Sequence, residues 1–540
     1  MNKIALALFS ALPLLAQDVN LTTVGQIKTE AYDHSQVMDH LAYLTDVYGP
    51  RLSGSPEFRQ AADWAVKRLE AMGLTNVHLE KWGPFGRGWS VQQYAVEMIE
   101  PRYSLMFATP LAWSQSTNGP VTGDLILAPL TRTVDPKKAV SDLEAFEKEW
   151  KGKLRGKIVL LTKPKTSASA LKPTFSRYTD AELADLAGAP TPVAKISSKL
   201  AEITFPDDPE ELGKFFATLS SSTIDELIAA RTAITNRRNK FFHDEGLLGL
   251  LSADPRAHLS LTFAEQAGSQ ESKYPLAPPT FVVTEEQYNR LTRILEKKLP
   301  LKVRMNLKAS ISDSDVDGLN IIGEIPGGTK KDEIVMIGAH FDSWHTGTGA
   351  TDNGAGSAVM MEVMRILKTL DLKMDRTIRI ALWSGEEQGL LGSKAYVKEH
   401  FGDPKTMQLT SADAKLDGYF NLDNGSGKIR GVYLQKNDAM RPIFEKWLAP
   451  FRDEGVSTIS IHNTGGTDHL SFDAIGLPGF QFIQDPLDYG TVTHHSAMDT
   501  YDHAIPADLM QASAVIASVV YDAATRPDML PRKMPARVSP

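Results

Sequence analysis

The sequence has no cysteine, which excludes disulfide bonds, thiol nucleophiles and thiolate metal ligands. It also has no Gly-x-Ser-x-Gly and no His-Glu-x-x-His, so neither a serine hydrolase nor a thermolysin-like zinc site is expected. No Lys/Arg-rich run occurs, and the net charge is −8, so nucleic acid is not an expected partner.

Long apolar runs are absent too, and the first apolar segment is too short to cross a membrane. Residues 4–15 form an apolar run of about a dozen residues, short of the ~20 that span a bilayer. Lys3 precedes this run and Ala16-Gln17 follow it, as in a secretory signal peptide; the alternative is a buried N-terminal helix. We therefore expect residues 1–17 to direct export, and the chain to be secreted or periplasmic without membrane insertion. An exported chain without disulfides favours a bacterial setting.

The 540 residues are too many for one hydrophobic core, so two or three domains are expected. Short β-rich runs fill the middle of the chain, interrupted by a polar, helix-prone stretch. We expect a signal peptide over 1–17, the N-terminal part of the main domain over 18–95, an inserted β-rich domain over 96–305 with helical decoration over about 165–245, the main catalytic part over 306–530 and a tail over 531–540.

Two helices are predicted near the N-terminus. Residues 24–50 have helical character, and a second helix begins after a turn. Ser55 is a good N-cap and Pro56 a good first residue for it, while Gly73 is expected to end it near Met72.

From residue 306 onward, strand and helix patterns alternate. Apolar runs at 334–339 and 377–383 predict buried strands, with a helix over 354–370 between them. Shorter strands are expected at 419–422 and 479–483. This rhythm predicts an α/β domain whose sheet is mostly parallel and covered by helices, and in such sheets sites gather at the carboxyl ends of the strands.

Acidic and histidine side chains follow those predicted strands. His340 and Asp342 come directly after the first, Glu386 and Glu387 after the second, and Asp423 after the third. His340 is suited to bind a metal while Asp342 accepts its other ring N–H. Each feature also has a plain alternative, such as a polar surface loop or two glutamates on a solvated helix face.

Two further candidates lie in polar turns. Asp352 stands in a glycine-rich segment before the 354–370 helix, where it is either a helix N-cap or a carboxylate with both oxygens free to bridge two ions. His495 opens His-Ser-x-x-Asp-Thr, which brings Asp499 close to it. Eight of the 13 histidines fall between 340 and 503, which places the expected site in this half.

Together these residues form a sufficient ligand set for two zinc ions that share one carboxylate. The set contains two histidines and three carboxylates, and Glu386 is left over. A metal hydrolase needs one unligated carboxylate as its base, so the set predicts a two-metal hydrolase. Ligands with only nitrogen and oxygen donors suit zinc, with manganese or cobalt as substitutes.

The motifs around these residues resemble the co-catalytic zinc exopeptidases, the family of bacterial leucyl aminopeptidases, carboxypeptidase Q and glutaminyl cyclases. The spacing from His340 to Asp352 is most similar to the carboxypeptidase Q branch. The motifs that carry the resemblance are Ala-His340-x-Asp342-Ser-Trp, Thr-Asp352-Asn-Gly-Ala-Gly, Glu386-Glu387-Gln-Gly-Leu-Leu-Gly-Ser, Thr467-Asp468-His469 and His495-Ser-x-x-Asp-Thr.

The resemblance implies a fold and a role for each residue. The fold is a three-layer α/β/α zinc-exopeptidase domain with an inserted protease-associated-like domain. His340 and Asp423 would hold one zinc ion, Glu387 and His495 the other, and Asp352 would bridge both, with a cis bond to Asn353. Glu386 would be general base and acid, with Asp342 and Asp499 as supporting residues. Weaker candidates for the substrate pocket are Asp468, His469 and Tyr489.

The resemblance also implies a mechanism, a substrate class and two rival functions. A hydroxide held between the two ions would attack a peptide carbonyl, and Glu386 would pass the proton to the leaving amine. Peptides are the expected substrates. The sequence leaves the assembly open: the middle domain either restricts access to the site or pairs subunits into a homodimer. The rivals are a single-zinc glutaminyl cyclase and a non-catalytic receptor-like domain. Thr464 stands where some aminopeptidases have a tyrosine that binds the oxyanion.

Overall fold

The computed structural model describes residues 19–131, 133–164, 173–190, 199–206, 212, 215–216, 218–219 and 221–533. The predicted signal peptide over 1–17 lies outside the described residues. Within the described part of the chain, no helix has both the length and the apolar character needed to cross a membrane.

Of the twelve α-helices in the described residues, three precede residue 75, four lie between 136 and 296, and five follow residue 354. They are α1 Leu21–Asp33, α2 Val37–Ala42, α3 Pro56–Ala71, α4 Pro136–Trp150, α5 Asp180–Ala187, α6 Ser221–Glu245, α7 Glu285–Glu296, α8 Ala355–Thr369, α9 Leu391–His400, α10 Arg441–Trp447, α11 His469–Asp473 and α12 Pro506–Thr525.

The strands form two eight-stranded sheets and one short hairpin. They are β1 Thr75–Trp82, β2 Gly88–Glu100, β3 Ser104–Leu105, β4 Ala108–Pro110, β5 Val121–Leu127, β6 Ile158–Leu160, β7 Gly249–Ser252, β8 Thr280–Val283, β9 Lys302–Ser312, β10 Gly318–Ile325, β11 Lys330–His340, β12 Arg376–Trp383, β13 Gly402–Asp403, β14 Gln408–Leu409, β15 Leu416–Asn421, β16 Ile429–Tyr433, β17 Thr458–Ser460 and β18 Gly479–Gln484.

The first sheet has the order β1-β10-β12-β11-β15-β18-β16-β17. Its centre is parallel: β11 pairs with β12 and with β15, and β15 pairs with β18, all in the same direction. The antiparallel pairings lie towards its two sides. The carboxyl ends of four central strands therefore meet at one edge of this sheet.

Helices cover this sheet on both faces. Val335, Ile337 and Ala339 of β11 share one hydrophobic cluster with α8 and α12, whereas Met336 belongs to a second cluster with residues of α9 and α11. Because successive side chains of a strand point to opposite faces, the alternation along β11 places helices above and below it. This is the three-layer α/β/α arrangement predicted from the sequence.

The second sheet is built from the middle of the chain. Its order is β3-β2-β9-β5-β6-β7-β8-β4, and it has its own hydrophobic core. Its long antiparallel pair consists of β2 and β9. In the sequence β2 directly follows β1, and β9 directly precedes β10, so both strands are continuous with strands of the first sheet. The domain limits at 95 and 305 stay a prediction, and β2 and β9 extend a few residues beyond them.

Candidate metal centre

The parallel edge of the first sheet brings the predicted ligands together. His340 is the last residue of β11, Glu387 follows β12, Asp423 follows β15, and His495 lies in the loop after β18. Asp352 lies just before α8. All five are buried or nearly so, and they come from five separate places in the chain.

Asp352 lies between the two histidines. Its Oδ1 is 3.2 Å from Nε2 of His340, and its Oδ2 is 3.2 Å from Nε2 of His495. The same nitrogen of His340 is 3.2 Å from Oδ1 of Asp423, and that of His495 is 3.0 Å from Oε2 of Glu387. The five side chains thus form two groups, each with one histidine and one private carboxylate, joined by Asp352.

The unpaired atoms of the site fit a cation. Oδ2 of Asp352 and Oε1 of Glu387 are buried and make no hydrogen bond within the described ranges. Buried carboxylate oxygens without donors are costly unless a cation or proton balances them. Ligand atoms of His340, Asp352 and Glu387 all lie within 4.8 Å of one another, which is close enough to hold one metal ion.

The electrostatics of the site point the same way. Burial and the charge of Asp352 raise the pKa of Glu387 to about 8. Burial also raises the pKa of Glu386 well above its usual range, although His340 opposes the shift. For Asp352 burial acts in the same direction, but the two histidines outweigh it and lower the pKa well below its usual value. A divalent cation bound here would favour the charged form of these carboxylates.

Asp342 links the His340 loop to the Glu386 loop. The ring Nδ1 of His340 is 3.0 Å from the backbone oxygen of Asp342 and 3.5 Å from its carboxylate. That carboxylate accepts hydrogen bonds from Ser53 Oγ at 2.9 Å and from the Gly385 amide at 3.1 Å. Asp342 therefore fixes the orientation of His340 and the position of the turn that presents Glu386.

The turn before Glu386 depends on Gly385. Its φ is +69°, a left-handed conformation that side chains rarely adopt. A Cβ added there would also lie 3.0 Å from both Leu391 and Trp82. Gly385 thus allows the chain to leave β12 and turn back so that Glu386 and Glu387 face the sheet edge.

Asp499 supports the segment that carries Asp352. Its carboxylate accepts hydrogen bonds from the Thr351 amide at 2.6 Å, from the Thr351 hydroxyl at 2.8 Å and from the Asp352 amide at 3.3 Å. Burial raises the pKa of Asp499 to about 7. The bond from Asp352 to Asn353 is cis, as the resemblance implied.

The three pocket candidates occupy different surroundings. Tyr489 packs against the ring of His494, with 4.8 Å between ring centroids, next to the metal-ligand candidates. Asp468 is fully buried, and burial raises its pKa to about 7. His469 is also fully buried, but its Nε2 contacts Gln435, a residue outside the ligand set. Gln435 also holds the backbone of Thr464, with 2.8 Å from its Oε1 to the Thr464 amide.

Sequence reasoning missed three residues that lie at this site. His494 has its Nε2 3.7 Å from Oδ2 of Asp352, and it forms a second possible metal-binding group with Asp352 and His495. In the sequence, the sign that His494 belongs to the site was its position directly before His495. Glu265 contacts the other ring nitrogen of His495 from the loop between β7 and β8. Trp344 packs edge-on against His495 at 6.1 Å. Glu265 lies in no pattern that marks it in the sequence, whereas Trp344 ends the motif Ala-His340-x-Asp342-Ser-Trp, in which no role was assigned to it.

The part of the chain that carries this site is similar to known proteins. Residues 320–520 match the model of Peptidase family M28. Carboxypeptidase Q from Bos taurus is 26% identical over 518 residues, which cover 95% of this chain and 89% of that protein. The matched family range contains all five ligand candidates and Glu386.

Two solved structures share the fold. A Peptidase M28 precursor from Shewanella amazonensis SB2B matches with a TM-score of 0.63 and 24% identity, covering 96% of this chain and 99% of that one. BSAP, a zinc aminopeptidase from Bacillus subtilis, matches with a TM-score of 0.54 and 19% identity, covering 91% and 95%. These likenesses confirm the α/β fold class predicted from the sequence.

Proposed function

We propose that this chain, a metallopeptidase whose residues 320–520 belong to Peptidase family M28, is an exported exopeptidase that uses two zinc ions to hydrolyse short peptides or dipeptides. The family and the enzyme class predicted from the sequence are confirmed by this membership. The observation that carries the two-ion proposal is the placement of Asp352, with one carboxylate oxygen 3.2 Å from each of two histidines.

Five side chains would hold the ions. His340 and Asp423 are suited to one, Glu387 and His495 to the other, and Asp352 to both, because its two oxygens face different histidines. The donors are all nitrogen and oxygen, which suits zinc and admits manganese or cobalt. When bound, such ions lower the pKa of water and polarise a carbonyl group.

Glu386 is the proposed proton carrier. It follows β12 beside Glu387, and no ligand role is assigned to it. Burial raises the pKa of Glu386 well above its usual range, and its carboxyl group interacts electrostatically with His340, Asp423 and Glu387, so it lies beside the ligand candidates where a proton acceptor is needed. A carboxylate oxygen of Glu386 takes the proton from the attacking water and delivers it to the nitrogen of the leaving amine.

The supporting residues keep this geometry. Asp342 accepts the Gly385 amide and lies against Nδ1 of His340, while Asp499 accepts the amides of Thr351 and Asp352. Tyr489 and Asp468 are the proposed side chains nearest to a bound peptide. The homodimer, the signal peptide over 1–17 and the division into domains stay predictions.

Hydrolysis is tested with a panel of aminoacyl reporters and of blocked and unblocked dipeptides, with and without a chelator. Glu386→Gln should retain two ions per chain by elemental analysis and lose activity by roughly 10²–10⁴-fold, the usual range for removing a general base. Glu399→Gln, on the exposed side of α9, is the matched control and should behave as wild type. Full activity of Glu386→Gln would refute the assignment of the base.

The same panel separates the rival functions. A glutaminyl cyclase would bind a single ion and release ammonia from an N-terminal glutamine, so the panel includes a glutaminyl peptide. A receptor-like domain would bind peptides without cleaving them. Convergence of all five candidate ligands favours hydrolysis over both.

Export is tested by expressing the full chain in a bacterial host and sequencing the N-terminus of the protein found outside the cytoplasm. We expect cleavage near residue 17. Retention of the intact N-terminus in the cytoplasm would contradict the export proposal.

A further inference from the structure

The ring of His495 is held at both nitrogens. Nε2 faces the metal-ligand candidates, at 3.0 Å from Glu387 Oε2 and 3.2 Å from Asp352 Oδ2. Nδ1 faces away from them and lies 2.9 Å from Oε1 of Glu265. Glu265 belongs to the middle of the chain, 230 residues earlier.

The other histidine of the centre is held in a local way. Nδ1 of His340 is satisfied by Asp342, two residues further along the same loop. His495 also has an acceptor on Nδ1, but that acceptor is a side-chain carboxylate, and it comes from the part of the chain that builds the second sheet. The two histidines therefore differ both in the kind of acceptor, a backbone oxygen for His340 and a carboxylate for His495, and in where it originates.

The loop that carries Glu265 is joined to the loop of His495 by the backbone. The amide of Ala264 donates to the backbone oxygen of His495 at 3.2 Å, and the amide of Ala497 donates to Thr262 at 3.0 Å. A β-bridge between Phe263 and Ser496 lies between these bonds. The segment 262–265 thus runs antiparallel to 495–497 and forms one wall of the centre.

The carboxylate of Glu265 is itself fixed. Arg256 donates to its Oε1 at 3.0 Å and to Asp254 at 2.9 Å, and the guanidinium packs over the ring of Phe263 at 4.9 Å. Glu265 therefore keeps its position without relying on the histidine.

We propose that Glu265 positions the ring of His495 for metal binding, so that the loop between β7 and β8 of the second sheet supplies a functional part of the metal centre. The inference rests on the proposed zinc function. A carboxylate on Nδ1 keeps the proton on that nitrogen and leaves the lone pair of Nε2 directed at the ion. Loss of such a partner typically weakens metal binding 10- to 100-fold.

Full-length Glu265→Ala and Glu265→Gln test the inference. Zinc is titrated against a competing chelator, and cobalt-loaded protein gives a visible spectrum that reports ligand geometry. In Glu265→Ala one of the two ions should bind roughly 10- to 100-fold more weakly and its cobalt bands should change, while the other ion is unaffected. Glu265→Gln should fall between, because the amide oxygen still accepts a hydrogen bond but carries no charge.

Glu271→Gln is the matched control. Its side chain is exposed and pairs with Lys273 in the same part of the chain, so both ions should bind as in wild type. The metal-free variants should unfold at the same temperature as metal-free wild type, which separates positioning from a general loss of structure.

The outcomes distinguish this inference from the proposed function. A wild-type protein with two ions and a Glu265→Ala variant with unchanged affinities and spectrum would overturn the inference alone. A wild-type protein that takes up no zinc would overturn the proposed function and the inference with it.

Discussion

Among single residues, Arg51 is a buried side chain that holds a loop of the proposed metal centre in place. It is fully buried, and its guanidinium donates to the backbone oxygens of Phe341 at 2.7 Å, Leu44 at 2.6 Å, Thr348 at 3.0 Å and Gly349 at 2.9 Å. Three of these belong to the loop between His340 and Asp352. The planar group thus holds together a loop that has no regular structure of its own.

Arg51→Ala should lower the free energy of unfolding by about 3–5 kcal/mol, because it leaves four carbonyl groups without their donor. Arg51→Lys should recover little, since an ammonium group cannot reproduce the planar set of donors. Urea unfolding of the metal-free protein measures both. Arg59→Ala removes an exposed ion pair with Asp315 and should cost less than about 1 kcal/mol. A loss below 1 kcal/mol for Arg51→Ala would contradict the role assigned to it.

At the element scale, the segment 173–190 lies against the loop that follows β18. The amide of Ser176 donates to the Leu487 oxygen at 2.8 Å. Arg177 pairs with the buried carboxylate of Asp485 at 2.8 Å, and Arg430 pairs with it at 3.0 Å. The loop held in this way leads to Tyr489, so this segment stabilises one side of the proposed substrate pocket.

Arg177→Ala should loosen this segment without unfolding the protein. The pair is partly buried, and its loss should raise cleavage within 173–190 by roughly tenfold, equivalent to about 1.4 kcal/mol. Limited proteolysis with subtilisin and mass spectrometry measures this, since trypsin would lose a site with the arginine. Arg237→Ala, on the exposed face of α6 opposite Glu147, should leave the cleavage pattern unchanged. Equal patterns for both variants would refute the anchoring role.

Local signals predicted one N-terminal helix well and another poorly. The helix α3 begins as expected, with Ser55 as N-cap accepting the Phe58 amide at 3.0 Å, and Gly73 follows it at φ +83°. The single helix expected over 24–50 is wrong, because the chain breaks between α1 and α2. There the Gln36 amide donates to Glu362 on α8 at 3.0 Å. Glu362 is 326 residues away in the sequence, so the local periodicity of residues 24–50 could not indicate this hydrogen bond.

At the scale of the whole molecule, one buried acid makes stability depend on pH. Asp522 of α12 is 3% exposed, and its Oδ2 has no hydrogen-bond partner in the described part of the chain. Burial raises the pKa of Asp522 to about 7, above the ~3.9 of an unfolded chain. Between these values the folded state binds the extra proton, so stability falls as pH rises through this window.

Asp522→Asn should therefore raise the free energy of unfolding by about 1–3 kcal/mol at pH 8, where the native carboxylate is charged and buried. At pH 4 the change should be much smaller, because the acid is then protonated in the folded protein. Thermal or urea unfolding at several pH values measures the difference. Asp502→Asn, at an exposed position, is the control. A gain that does not vary with pH would contradict the assignment.

Local features of the sequence were enough to locate the proposed catalytic half of the chain. Apolar runs mark the strands, and His340, Glu387 and Asp423 follow them directly, so the rule that parallel strands end at a common edge was enough to group these residues. The recognisable motifs added Asp352 and His495. These features are local, since each depends on residues next to one another in the chain.

The surroundings of those residues come from contacts between distant parts of the chain. Glu265 reaches His495 because the loop between β7 and β8 pairs with the loop after β18, and Arg51 reaches the Phe341 oxygen across 290 residues. Such contacts depend on how two separately packed cores are placed relative to each other. Periodicity and motif spacing describe one helix, strand or loop at a time. They therefore indicate which side chains lie at the site, but not which residues from distant parts of the chain form hydrogen bonds with those side chains.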